Sequence, residues 1–139
     1  MARSDRLTNL EKKKDIYSDF LVNFNAHPNT GELMRKTDLE SVKRAIRNIL
    51  LTDRGERLFN EKYGASVRKV LFEQADDFSK DMLKNLIQQS IENYEKRVKL
   101  VEVVVGMGND EITYIVDIYF KMINNQNVFN LQVKLDRVR

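Results

Sequence analysis

From residue 98 onward the chain alternates apolar and polar side chains with a period of two, in three runs separated by short polar breaks. The first run covers residues 98–105, and Gly106-Met107-Gly108-Asn109-Asp110 reads as a hairpin loop after it. Ile112, Tyr114, Val116, Ile118 and Phe120 line one face of the second run. A polar Asn124-Asn125-Gln126-Asn127 turn leads to the third, with Phe129, Leu131, Val133 and Leu135 pointing inward. Successive side chains of a strand point to opposite faces. Three such runs joined by short loops therefore make an antiparallel meander with one apolar face, and that face must be covered.

The residues before the meander carry the cover. Thr37-Asp38-Leu39-Glu40 has the spacing of a capping box, and Leu39, Val42, Ile46, Ile49 and Leu50 then repeat at helical spacing. This predicts a helix ending near Leu51, with Lys43, Arg44 and Arg47 on its outer side. Residues 67–72 carry one or two helical turns. A second long helix starts at Asp76 or Asp77, where an acid suits the positive end of the dipole. Its expected buried stripe is Phe78, Met82, Leu86, Ile87, Ile91 and Tyr94. Upstream, Ile16, Ser18, Phe20, Val22 and Phe24 alternate as a strand with a mostly apolar side, followed by a His27-Pro28-Asn29-Thr30-Gly31 turn. Residues 1–14 read as a flexible arm and 15–139 as a single domain. The fold class is α+β: two main helices on an antiparallel sheet with a C-terminal three-strand meander.

Composition narrows the function. The chain of 139 residues is 42% hydrophobic and 32% charged, the balance of a soluble globular protein long enough to bury a core. It has no cysteine and one histidine, His27, which excludes disulfides, thiolate zinc sites and multi-histidine metal sites. A net charge of +3 is spread among interleaved acids, and the one basic run, Lys12-Lys13-Lys14, lies in the arm. No concentrated basic face for nucleic acid is expected. The apolar runs are too short to span a bilayer, and the N-terminus lacks the apolar segment of a secretory signal.

Catalytic constellations are weak. Glu56, Glu61, Glu73 and Glu95 supply carboxylates, but glycosidase chemistry needs two of them across a cleft, and nothing in the spacing selects a pair. His27 sits in a Pro-Gly turn without a relay partner. Gly106-Met107-Gly108 joins two strands, whereas a phosphate loop joins a strand to a helix. Two charged clusters stand out instead. Arg54, Glu56 and Arg57 surround Gly55 beside apolar Leu58 and Phe59, and Tyr94-Glu95-Lys96-Arg97 marks the junction of the second helix with the meander. An acid and an arginine two apart can fix a backbone corner and still present a guanidinium to a partner carboxylate or carbonyl. An internal ion pair is the competing reading.

His27-Pro28-Asn29-Thr30-Gly31, the run from Val42 to Thr52, Gly55-Glu56-Arg57, Leu71-Phe72-Glu73 and Tyr94-Glu95-Lys96-Arg97, in this order, resemble the tail baseplate wedge family of contractile phages. That family is typified by the gene 25 wedge protein of T-even phages and includes a type VI secretion baseplate subunit. The resemblance covers roughly residues 15–121, and Tyr94–Arg97 stands where the family has a Glu-Pro-Arg signature. Lys96, Leu58 and Gln74 stand where the family usually has proline.

The resemblance implies a structural subunit of the baseplate wedge, located in the virion tail and assembled in the host cytoplasm. It further implies docking of larger wedge proteins through Tyr94, Glu95, Lys96, Arg97, Arg54, Glu56 and Arg57, and a template for the first ring of tail sheath. The sheath would add a strand at a sheet edge, and the expected edge is the last run with Phe129, Leu131, Val133 and Leu135. No cofactor, nucleic acid, membrane or small-molecule substrate is implied. Two alternatives are a peptidoglycan-degrading lysozyme-like enzyme and an anti-adaptor that binds a regulatory protein.

Overall fold

A computed structural model describes residues 17–20, 23–73, 76–109 and 112–137. Among these described residues eight elements follow in order: β1 (Ser18–Phe20), β2 (Arg35–Thr37), α1 (Asp38–Leu51), α2 (Val67–Leu71), α3 (Asp77–Tyr94), β3 (Val98–Met107), β4 (Thr113–Met122) and β5 (Asn125–Asp136). The chain divides into two compact units, one ending at Asp38 and one starting at Leu39.

In the first unit β1 and β2 pair antiparallel, with Phe20 opposite Arg35. The turn between them is tied by His27 N–H to Glu32 O at 2.7 Å and Gly31 N–H to His27 O at 2.9 Å. His27 Nδ1 accepts from Asn29 N–H at 3.3 Å, a turn-bracing role. The strand expected over residues 16–24 is shorter. Ile16, Leu21 and Val22 lie outside the described residues, and Phe24 leaves the extended region with φ of 48°. Phe20 and Phe24 are 44% and 67% exposed, so the alternating pattern does not mark a buried face. The guanidinium of Arg35 sits over the Phe20 ring at 5.6 Å.

The second unit holds the main core. β3, β4 and β5 form the expected meander in the order β3-β4-β5, all antiparallel, with a bulge between Leu100 and Glu102. Tyr114, Val116, Ile118 and Phe120 of β4 are buried, as are Leu131, Val133 and Leu135 of β5. They meet Val42, Ile46, Ile49 and Leu50 from α1, Val67 and Val70 from α2, and Leu83, Ile87 and Ile91 from α3 as the buried apolar set. Ile112, expected on the inner face of β4, lies just before it and is 37% exposed.

α3 begins where expected: the Asp76 carboxylate accepts from Ser79 N–H at 2.7 Å, an N-cap that satisfies an orphan donor. Ile87 and Ile91 of its expected stripe are buried, and Ser79, Leu83 and Ser90 join them on the inner line, whereas Phe78 is 72% exposed and Met82 is 38% exposed. Ser90 finds a partner by donating to Gly64 O at 3.5 Å.

Candidate functional site

The two charged clusters come from opposite ends of the second unit's helical part, and the fold brings them to one corner. α1 stops at Leu51, and Thr52 N–H still reaches Asn48 O at 3.1 Å. The chain then leaves in a loop of residues 53–66 and returns. Ala65 N–H donates to Ile49 O at 3.1 Å and Thr52 O at 3.2 Å, satisfying carbonyls that a helix end leaves open. The return passes so close that only glycine fits. A Cβ at Gly64 would lie 2.2 Å from Thr52 O.

Inside this loop Asp53, Arg54, Glu56 and Arg57 each have a structural task. Gly55, at φ of 94°, donates its N–H to Glu61 O at 2.7 Å. Glu56 Oε2 accepts from Asp53 N–H at 2.8 Å, and Asp53 pairs with Arg68 at 3.5 Å. Arg54 Nε donates to Gly64 O at 3.3 Å, and Arg54 N–H donates to Ser66 Oγ at 3.2 Å. The Arg57 guanidinium lies 3.7 Å from the centre of the Tyr63 ring. Leu58 and Phe59, at the loop tip, are 89% and 101% exposed.

The second cluster closes on the first through aromatic rings. Tyr63 and Tyr94 sit 5.1 Å apart at 53°, and the Tyr94 hydroxyl donates to Lys62 O. The last turn of α3 is finished by Glu95 N–H to Ile91 O at 2.8 Å and by Lys96 Nζ to Glu92 O at 2.8 Å. Lys96 thus stops the helix with its ammonium at the negative end of the dipole.

Glu95 is buried, 5% exposed, and both its oxygens are taken. Arg97 Nε donates to Oε1 and Nη2 to Oε2, each at 2.6 Å, and Arg97 N–H adds a third bond at 3.3 Å. This is a bidentate charge-assisted pair whose arginine side chain keeps 30% exposure. With both oxygens engaged, Glu95 holds Arg97 in place. Burial pushes the Tyr63 phenol above its ordinary range; Arg57 opposes the shift and Glu95 adds to it.

All seven predicted corner residues are accounted for: Arg54, Glu56 and Arg57 brace the loop, Tyr94 ties it to α3, Lys96 ends the helix, and Glu95 fixes Arg97. Sequence reading missed Tyr63, Gly64, Ser66 and Ser90 as parts of the corner. The one local signal was the Tyr63-Gly64 pair, because glycine after an aromatic in a non-repeating stretch marks a close backbone approach. On the meander, Leu131, Val133 and Leu135 point into the core and Phe129 stacks on Phe120 at 6.1 Å. β5 pairs only with β4 among the described strands, so what its free edge offers is main chain. Among the described residues no group of three His, Asp or Glu is disposed to hold a metal ion.

A family model described as baseplate wedge protein gp25 matches residues 36–127, a span that includes both halves of this corner. Baseplate wedge protein gp25 of Enterobacteria phage T4 is 31% identical over 104 residues, covering 75% of this chain and 78% of that protein. A solved structure from Geobacter sulfurreducens, described as a tail lysozyme, superposes with a TM-score of 0.67 at 23% identity, covering 72% of this chain and 91% of that one. A chain of the anti-feeding prophage baseplate gives 0.61 at 20% identity, with 88% and 87% covered. A chain of the post-contraction baseplate of pyocin R2 gives 0.51 at 19% identity, with 81% and 96% covered. At these identities the three structures are alike in fold.

Proposed function

The chain belongs to the baseplate wedge protein gp25 family, and on that premise we propose that it docks larger wedge proteins through the Glu95–Arg97 corner and templates the first ring of tail sheath. Its coarse role is structural, as a component of a contractile-tail baseplate acting among other baseplate proteins. The observation that carries the docking reading is the buried bidentate pair. Glu95 spends both oxygens holding one guanidinium that still reaches the surface. A fork fixed in this way recognises a carboxylate or a carbonyl pair with little ordering entropy left to lose. For the sheath, the free edge of β5 offers a row of main-chain donors and acceptors on a strand whose Leu131, Val133 and Leu135 already pack inward, which suits strand addition.

The test is reconstitution. Wild-type chain assembles with the purified wedge proteins of the same tail, and mass spectrometry finds it in purified particles. Arg97→Lys keeps the charge but loses the fork, and it assembles poorly while remaining folded. Normal assembly with Arg97→Lys would remove the corner as the docking site. A peptidoglycan hydrolysis assay addresses the lysozyme alternative, for which the expected result is no turnover. Activity lost on Glu→Gln substitution would replace the structural role.

A further inference from the structure

The two edges of the meander are not equivalent. From Val128 to Asp136, β5 pairs with β4 in one unshifted register, and Arg137 N–H donates to Ile112 O at 3.0 Å. Residues of an antiparallel strand alternate between those bonded to the neighbour and those turned away from it. Arg137 is bonded toward β4, so Asp136, Lys134, Gln132, Asn130 and Val128 turn their N–H and C=O groups to the open side. The same count on β3 starts from Gly108 N–H to Thr113 O at 2.7 Å. It gives Met107, Val105 and Val103, and then loses step at the bulge between Leu100 and Glu102. A bulge blunts an edge strand. α3 also stands at that edge, where Asp77, Lys80, Asp81 and Lys84 wall a cleft with Val103, Val104 and Val105. β5 is thus the edge with an unbroken row, long enough for a segment of about nine residues.

The groove beside β5 narrows what that segment is. It is lined by Arg47 and Leu51 of α1 and by Gln132, Val133 and Lys134, with Leu51 51% exposed. Lys43 and Arg44 lie one turn before Arg47 on the same side of α1. Glu40 is the acid on that side, 3.7 Å from Lys43. The acids beside Lys134 lie on the outer face and are bonded there: Asp117 accepts from Gln132 Nε2 at 3.1 Å and Asp136 from Thr113 Oγ1 at 3.0 Å. The basic excess therefore lies on the α1 side. An added strand sends alternate side chains to the two faces of the sheet. Those turned toward α1 meet Leu51 and a wall of bases, which suits apolar and acidic side chains.

The charges also weigh against this chain's own segments. Residues 1–14 carry five basic and two acidic side chains, so the wall repels them. A second copy joined through its own β5 would set another Arg47 and Lys134 against the first. A second copy joined through β3 would meet the bulge and bring its α3 against α1.

We infer that the groove between α1 and the β5 edge receives an extended segment of another protein chain, whose side chains toward α1 are apolar and acidic. This rests on the strand-addition reading above and adds the chemistry of the segment to it. The experiment mixes the full chain with the purified sheath protein of the same tail. Residue-resolved hydrogen exchange by mass spectrometry reads the edge, and sedimentation velocity reads association. Exchange at Asn130, Gln132, Lys134 and Asp136 slows on association, whereas Leu131, Val133 and Leu135 are already slow in the free chain. Arg47→Glu with Lys134→Glu keeps a cooperative melting transition and loses association by about tenfold or more, and the salt dependence of association falls with it. Lys84→Gln, at the other edge, associates as wild type does.

Slowed edge exchange with undiminished association of the double variant overturns the acidic segment and leaves strand addition at β5 standing. Association without slowing at β5, or with slowing at Val103, Val105 and Met107 instead, overturns both, as does failure of the wild-type chain to associate. Edge amides that are slow in the dilute free chain and exchange freely once residues 1–14 are removed assign the groove to this chain's own arm and overturn the inference. Slowing that follows the concentration of the chain alone assigns it to a second copy, with the same consequence.

Discussion

Gly64→Ala is the sharpest probe of how the corner is built, because the structure separates its two effects. An L residue at a φ of 113° is strained, at about 1 to 2 kcal/mol. A Cβ there also lies 2.2 Å from Thr52 O and 2.9 Å from Thr52 C, against an ordinary contact of about 3.5 Å. Thr52 O cannot withdraw easily, because it accepts from Ala65 N–H and follows directly on α1. Forcing an extra carbon into such a place adds about 1 to 3 kcal/mol, for a total of about 2 to 5 kcal/mol. Gly55→Ala is the matched control. Its φ is 94°, but nothing lies within 4 Å of its Cβ, so only the backbone contribution of about 1 to 2 kcal/mol applies. Urea unfolding of the purified variants, followed by far-ultraviolet circular dichroism, reads both. At equal slope the unfolding free energies of the two variants should differ by about 2 kcal/mol, and the melting temperature of Gly64→Ala should fall by about 10 °C. Equal destabilisation of the two variants, or a loss below about 1 kcal/mol for Gly64→Ala, would refute the close approach as the reason for that glycine.

Arg97→Ala leaves the Glu95 carboxylate buried without its partner and should lower stability by about 3 kcal/mol, the low end for a buried pair because Arg97 is partly exposed. Replacing both residues with methionine should recover most of that loss in the same unfolding assay. The Tyr63 phenol, raised chiefly by burial, should titrate above free tyrosine by ultraviolet difference spectroscopy, and Arg57→Ala should raise it further. Because its folded pKa exceeds the unfolded value, its contribution to stability is whole below pH 10 and is lost as pH climbs through the folded value. Asp76 is held below the usual carboxylate range, first by the Ser79 N–H. Its stabilisation is present above about pH 4 and falls away as pH drops through the lowered value, so Asp76→Ala should flatten the acid limb of the stability profile. Ile87→Ala should cost about 2 to 5 kcal/mol while Phe78→Ser changes stability by less than about 0.5 kcal/mol, although sequence placed both on one buried stripe.

That last pair shows where reading from sequence failed. Phe78 and Met82 were placed inward because large apolar residues usually are. The inner line of α3 instead runs through Ser79 and Ser90, whose small side chains let neighbouring backbone approach. The run 16–24 holds β1 at Ser18–Phe20, but alternation identifies two faces without saying whether anything covers the apolar one, and Phe20 and Phe24 are exposed. The corner was half legible. Its charged members announced themselves by density and spacing, whereas Tyr63, Gly64, Ser66 and Ser90 became part of it only through contacts spanning 12 to 32 residues.

Local rules were enough for the meander, the Asp76 cap, the stop at Leu51 and the family resemblance, because periodicity, capping and turn chemistry act over a few neighbouring residues and are written in them directly. Tertiary structure alone decided that the loop of residues 53–66 would fold back onto α1 and meet the end of α3. It also decided that Glu95 would be buried with Arg97 as its clamp and that Leu58 and Phe59 would be left in water. Those outcomes depend on which groups become neighbours once a core is closed, and a side chain's burial and partners are properties of that closed packing.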